Sequence, residues 1–350
     1  MATQGPTSPA ELPAAPTGEP LTRRTVPTSS GAPGQIRVAA ASGGQVREVE
    51  GEAALAGLAA MLAEQDTTIW VDLTAPSSAQ VEAVGAAMGL HPLIVEDVLE
   101  GNQRAKIEST DGVVHLVLFA LSHGRRFVAS EIDLVLGPGY LLTVHDAGWD
   151  PRATHHLRNS LASIMAQGPD HLLWSLSDDI VDGYFPFADE LGDALDAVQD
   201  AVIGHASPKA LEELFALKRE LIEVRRAASP TREVFNQLTN RDLPLIDSEE
   251  LVYFRDVYDH VIRLTDELDN YRELASSTLD VYLTQINNNL STIMKRLTGV
   301  TVILAGVGAF AGIFGMSEAN VEAGSFWLVT GAIVGAAGAA AVVLRKIDWI

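Results

Sequence analysis

The residues best equipped for chemistry in this sequence are carboxylates. Between Leu172 and Ile203, apolar residues at helical spacing alternate with Asp178, Asp179, Asp182, Asp189, Glu190, Asp193, Asp196 and Asp200. Carboxylate oxygens hold hard divalent cations, and a run of such charges is also how a solvated helix face reads. The whole chain leans the same way: 46 Asp+Glu oppose 24 Lys+Arg, a formal net charge of −22. That balance lacks the basic footprint of a nucleic-acid-binding protein and suits one that collects cations. Cys is absent, which excludes a disulfide framework, a thiolate zinc site and a cysteine nucleophile. His155 and His156 are adjacent, so on a helix or strand they point apart and read as surface residues rather than joint ligands. His91, before Pro92, reads as a turn or helix N-terminal residue. No Gly-x-Ser-x-Gly, P-loop or His-Glu-x-x-His pattern occurs, so neither hydrolysis nor nucleotide-driven work has a motif behind it, and the chain is not read as an enzyme.

The elements that must position these groups divide the chain in two. Near the C-terminal end, Leu297–Met316 is uncharged over about 20 residues, the length that spans a bilayer core, and Phe326–Leu344 is a second such run. Lys295 and Arg296 precede the first; Arg345 and Lys346 follow the second; the connecting loop, 317–325, holds Glu318 and Glu322 and no basic residue. The positive-inside rule then puts both termini in the cytoplasm, with 345–350 as a basic tail, and the acidic loop outside. Trp327 and Trp349 fall near span ends, where amphipathic rings favour the interface. Gly308 and Gly312, and Gly331 and Gly335, form small-xxx-small pairs that let helices approach closely in an oligomer. Two helices cannot enclose a hydrated pore, so transport requires several subunits around an axis.

Before the spans, residues 1–35 are rich in Pro, Ala, Thr and Ser without the apolar core of a secretory signal, and read as a disordered tail. Residues 36–170 alternate strand-like segments (68–73, 112–121, 129–136, 140–144) with helix-like ones (77–88, 92–99), an α/β domain on a mixed sheet. Residues 171–247 read as an acidic helical hairpin: one helix from Leu172 to Ile203, another from about Ala210 to Arg226, then punctuation at Pro230 and Pro244. Asp247 and Glu250 resemble a capping box. Beyond them no Pro or Gly appears before Gly299, and Phe254, Val257, Val261, Leu264, Leu268 and Tyr271 recur at spacings of three and four, as a coiled seam requires. A single helix from Ser248 to Met316 is expected, roughly 100 Å long at about 1.5 Å per residue, able to carry a mechanical signal from cytoplasm to pore.

Several stretches resemble the CorA family. His91-Pro92-Leu93 with Glu96-Asp97, then Gln103-Arg104 and Lys106, is similar to one of its conserved runs. Tyr253-Phe254-Arg255-Asp256-Val257-Tyr258-Asp259-His260 is similar to its long-helix signature, and Leu279-Asp280-Val281-Tyr282-Leu283 with Met294-Lys295-Arg296-Leu297-Thr298 to the segment that enters the membrane. The resemblance implies a homopentameric Mg2+ channel with a funnel-shaped cytoplasmic domain, passive flux along the first span, and no organic cofactor. It also implies site residues. Gly315-Met316-Ser317 stands where the family has Gly-Met-Asn; Ser291 stands at a polar Asn position, Gly308 at a Thr ring and Ala305 at a Met. Asp280, at the pore entry, and Met294 and Leu297 match the family; Thr301 lies on the same face as Met294, Leu297, Ala305 and Gly308, and Gly312 is counted with the pore residues. Asp97 and Asp256, with Glu96 beside the first, match the family's intersubunit cation sensor.

Mg2+ prefers octahedral oxygen ligation and dehydrates reluctantly, so rings of polar oxygens that bind its water shell suit it. A Ser317 ring is wider than an Asn ring, Thr301 offers a replacement polar ring, and Glu318 and Glu322 concentrate cations at the mouth. Two carboxylates without a basic partner, as Asp97 and Asp256 are read, favour a bridging divalent ion. Passage of Co2+ or Ni2+ is compatible with this reading. The altered rings at Ser291, Gly308 and Ser317 keep two alternatives open: Zn2+ transport, or a non-conducting cation-sensing membrane protein.

Overall fold

The structure, a computed structural model, describes residues 34–101, 103–123, 127–315, 323–346 and 349. It divides into two compact units. One is the chain up to Asp193 with Leu217–Arg272; the other is Ala194–Ala216 with Glu273–Ile350.

The first unit holds a mixed sheet of seven strands: β1 (Gln35–Ser42), β2 (Gln45–Glu50), β3 (Thr68–Thr74), β4 (Lys106–Thr110), β5 (Val113–His123), β6 (Phe127–Gly137) and β7 (Tyr140–His145), in the order β2-β1-β3-β7-β6-β5-β4. Only β3 and β7 pair in parallel; every other neighbouring pair is antiparallel. Alternation along β3 and β7 sorts their side chains. Ile69, Val71, Leu73, Leu142 and Val144 meet α1 (Glu52–Leu62), α2 (Ser78–Met88) and α3 (Pro92–Glu100) in one buried core. Trp70 lies on the opposite face; its Nε1 donates to Thr143 Oγ1, which donates to Asp72 Oδ1. The strands expected from the sequence are present to within about two residues at each end. Three others lacked a signal: β2 and β4 are polar edge strands, and β1 is rich in Ala, a weak strand former. Ser77 and Gln80 make a capping box at α2, and His91 Nδ1 accepts the Leu93 N–H at the start of α3.

After β7 the chain makes a 3-10 turn at Pro151–Ala153, a run of turns to Ser160, and a short helix α4 (Leu161–Met165). The helix expected over Leu172–Ile203 is two helices, α5 (Pro169–Asp182) and α6 (Phe185–Gly204). Pro186 lacks an N–H and clashes with the preceding turn, so it is tolerated only where a helix begins afresh. In the break, Tyr184 is fully buried and its hydroxyl donates to the Phe119 carbonyl at 2.6 Å; burial holds its pKa well above the usual phenol value. Pro230, expected to end a helix, lies inside α7 (Pro208–Asn240). Val224, Ala228, Val234 and Phe235 are buried on both sides of it, and this packing outweighs the roughly 3 kcal/mol that an interior Pro costs.

α8 (Leu251–Gly315) is one uninterrupted helix of 65 residues. It starts three residues later than expected because the Asp247–Glu250 capping box does not form: the Asp247 N–H donates to Asp170, and the Glu250 carboxylate pairs with His171 Nδ1 at 2.9 Å. The seam of α8 also has a different use from that expected. Phe254, Val257, Val261 and Leu264 are 0% exposed within the single chain, and Leu268 is 1% exposed. Tyr253 stacks with Trp174 of α5, Arg263 lies over Phe185 of α6, and Arg225 of α7 bonds Asp269. The seam is therefore an intrachain packing face and is not free to join a second copy. Val252 and Tyr253 are exposed at the start of α8, and exposed apolar side chains become frequent further on, with Val281, Leu283, Leu290, Ile293 and Met294. The last helix, α9 (Ala323–Lys346), begins three residues before the expected Phe326.

Candidate functional site

Along α8, Ser291, Met294, Leu297, Thr301, Ala305, Gly308, Gly312 and Gly315 follow one another at spacings of three and four in one helix, so they share a face. Ser291 to Gly312 of this set are exposed in the single chain. Asp280, also exposed, lies on the same face three turns earlier. The Thr301 hydroxyl donates to the Leu297 carbonyl at 2.7 Å. Its proton is thereby committed to the helix, and its oxygen lone pairs remain available to accept hydrogen bonds. An 18-residue window of this helix reaches a mean hydropathy of 1.7 with 6% of it buried. Among the described residues, a Cβ added at Gly308, Gly312, Gly331 or Gly335 would meet nothing within 4 Å, so these glycines serve no close contact within the chain itself. Met316, Ser317, Glu318 and Glu322 lie outside the described residues.

Asp97 and Asp256, expected as a cation-sensing pair, look different from their sequence reading. Asp97 is not without a basic partner: Lys106 Nζ lies 2.6 Å from its Oδ2 and 3.3 Å from Glu108 Oε2. Burial by itself would lower the Lys106 pKa, but hydrogen bonds and the charges of Asp97 and Glu108 outweigh it, and the pKa stands above the usual lysine value. An ammonium thus occupies a place where carboxylates converge: donor atoms of Asp97, Glu108 and His115 lie within 4.8 Å of one another. Glu96 is exposed on the same helix.

Asp256 is exposed and belongs to a group that the sequence reading missed. His260, one turn along α8, has Nε2 3.8 Å from Asp256 Oδ2 and Nδ1 3.2 Å from Asp182 Oδ1. Asp178, Asp182 and His260 place donor atoms within 4.8 Å of one another. Asp178 and Asp182 on α5, and Asp256 and His260 on α8, are each i, i+4 pairs and so each present one face. That spacing was a usable signal, hidden by the many other acids of the run. The Asp178 carboxyl has its pKa raised, chiefly by burial and also by Asp182, against the hydrogen bond from His156. His155 and His156 also depart from expectation. They sit in turns rather than a helix or strand, and with Asp179 they form a third group whose donor atoms lie within 4.8 Å.

The sequence model described as "CorA-like Mg2+ transporter protein" matches residues 65–346, most of the chain. The chain belongs to the CorA family. The cobalt/magnesium transport protein CorA of Thermotoga maritima is 32% identical over 261 residues, covering 73% of this chain and 74% of that one. The putative metal ion transporter YfjQ of Bacillus subtilis is 28% identical, covering 71% and 78%. The complete structure of the CorA magnesium transporter of Methanocaldococcus jannaschii superposes with a TM-score of 0.76 at 21% identity, covering 90% of this chain and 99% of that one. The fold, an α/β domain followed by a long C-terminal helix, is thus the CorA fold. The CorA-like stretches of the sequence run from the start of α3 to the first residue of β4 and recur at three places along α8.

Proposed function

We propose that this chain is a passive divalent-cation channel, with Mg2+ as its principal cargo, formed by a homo-oligomer that family membership points to as a pentamer. The observation that carries the reading is the stripe from Asp280 to Gly312, exposed in the single chain on one uninterrupted helix. α8 from Leu297 onward and α9 are the two spans, both termini are cytoplasmic, and the stripe faces the axis. Copies meet along the apolar side chains exposed beyond Leu283 and along the glycines that have no neighbour within the chain. The transport names of the relatives support the cargo. Glu96, Asp97, Asp256 and the Asp178–Asp182–His260 group are the regulatory cation sites, and their occupancy holds the pore closed.

The test is uptake of Mg2+, Co2+, Ni2+ and Zn2+ by the purified protein in vesicles, for the parent chain and for Ser317→Asn. Mg2+ uptake is expected in the parent. The variant is expected to take up more Mg2+ at low concentration and to be blocked more strongly by cobalt hexaammine, because the longer amide reaches further toward the axis. Equal concentration dependence and equal block would assign coordination to the backbone carbonyls instead. Uptake of Zn2+ without Mg2+ favours a zinc transporter, and no uptake of any ion favours the sensing role.

Lys106 gives a separate handle on regulation. Removing its charge with Lys106→Gln frees Asp97 and Glu108, and the Mg2+ concentration that gives half-protection from proteolysis is expected to fall by about three- to tenfold. That corresponds to roughly 1 kcal/mol, the scale of a partly exposed ion pair. Unchanged Mg2+ protection would remove Asp97 from the sensor.

A further inference from the structure

The turn that follows β7 is held in place at both ends. Asp150 Oδ1 accepts the Arg152 N–H, and the Arg152 guanidinium lies 4.9 Å from the Trp70 ring centroid and bonds Glu48 at 2.8 Å. Further along, the His156 N–H donates to Asp179 Oδ2 at 3.2 Å, which ties the turn to α5, and Leu157 is buried. This backbone lets two adjacent imidazoles converge where a strand or helix would separate them. Their ring centroids are 5.4 Å apart. His156 Nε2 lies 2.9 Å from Asp178 Oδ2, so its Nδ1 is the nitrogen left for a ligand. The second oxygen of Asp178 is buried and has no hydrogen-bond partner. A metal-bound imidazole that donates its other N–H to a carboxylate is the usual outer arrangement of a transition-metal site, fixing both tautomer and ring orientation. Here that arrangement is already built. Beside it opens a pocket of about 370 Å³, lined by both histidines together with Ser160, His171, Trp174 and Tyr253.

We infer that His155, His156 and Asp179 form a binding site for a first-row transition-metal dication such as Zn2+, Ni2+ or Co2+. Two imidazoles and one carboxylate suit these ions, whereas Mg2+ seeks oxygen alone. Three protein ligands leave a coordination position for water or a small anion from the pocket. Asp178 acts as a positioning residue through His156. It also belongs to the Asp178–Asp182–His260 group, so the two sites share one carboxylate.

The test uses the purified full-length protein, stripped of metal and then held in excess Mg2+ to fill oxygen-only sites. Zn2+ is titrated by equilibrium dialysis, and Co2+ by its visible absorption, which strengthens when coordination is tetrahedral. His155→Ala and Asp179→Asn are each expected to abolish one equivalent of tight Zn2+ per chain, or to weaken it by more than about tenfold, and to remove the Co2+ absorption. Asp182→Asn is the control and should leave that equivalent in place. His155 is exposed, so its truncation leaves the core intact, and unchanged Mg2+ protection in the variant verifies the fold. The inference is overturned if the parent binds no Zn2+ under excess Mg2+. It is equally overturned if His155→Ala and Asp179→Asn both retain full stoichiometry and spectrum, or if Asp182→Asn alone removes the bound Zn2+.

Discussion

Replacing Thr301 with Lys is expected to reduce Mg2+ influx into vesicles by at least about a hundredfold. Thr301 is exposed on the face shared by Leu297, Ala305 and Gly308, one turn inside the start of the apolar stretch. A divalent cation about 5 Å from one unit charge is repelled by roughly 1.7 kcal/mol even at the dielectric of water. In the proposed oligomer symmetry repeats the charge in every subunit, so the barrier rises by more than the roughly 2.7 kcal/mol that a hundredfold requires. Thr301→Val separates charge from oxygen. It keeps the shape of the side chain and deletes the hydroxyl, both the donor to the Leu297 carbonyl and the lone pairs free to accept hydrogen bonds. Its effect is therefore expected to be smaller, read as a weaker apparent affinity for Mg2+ at an unchanged oligomeric mass. Uptake by the Lys variant equal to that of the parent would falsify the assignment of this face to the pore.

Phe254→Ala carries the largest expected effect on stability. Phe254 is fully buried inside the single chain, and truncating a core Phe costs about 3–5 kcal/mol, a large fraction of what a domain has to spare. The location of the loss is what matters. Because the seam of α8 packs against its own α5, α6 and α7, the first compact unit should loosen within each chain. Thermal unfolding should shift downward by the same amount at every protein concentration, while native mass spectrometry still finds the parent oligomer in mild detergent. If dilution dissociated the variant at concentrations where the parent stays assembled, the seam would be holding subunits together after all.

Much of this architecture was legible because its signals are local. The two charge-free runs near the C-terminal end need no tertiary knowledge to be read as helices, and α8, to Gly315, and α9, Ala323–Lys346, cover them. The continuity of α8 follows from the absence of Pro and Gly between Asp247 and Gly299, and the shared face of Met294, Leu297, Thr301, Ala305 and Gly308 follows from periodicity alone. Strands β3, β5, β6 and β7 were visible because they are apolar and β-branched. The polar edge strands β2 and β4 were not, since pairing with a neighbour makes them strands rather than their own composition.

Tertiary structure decided the rest, through contacts between residues whose separation in sequence carries no period. Whether the α8 seam joins two copies or buries itself at home depends on where α5, α6 and α7 lie, and both arrangements demand the same apolar spacing. Lys106 is nine residues from Asp97, across the turn between α3 and β4, and only that turn brings its ammonium within 2.6 Å of the carboxylate. His155 and His156 would diverge on any regular element. Asp179, 23 residues from His156, fixes the irregular backbone on which they converge. Sequence patterns determine which faces a helix or strand presents; only the folded chain determines what each face meets, because a carboxylate answers to whichever cation is nearest in space.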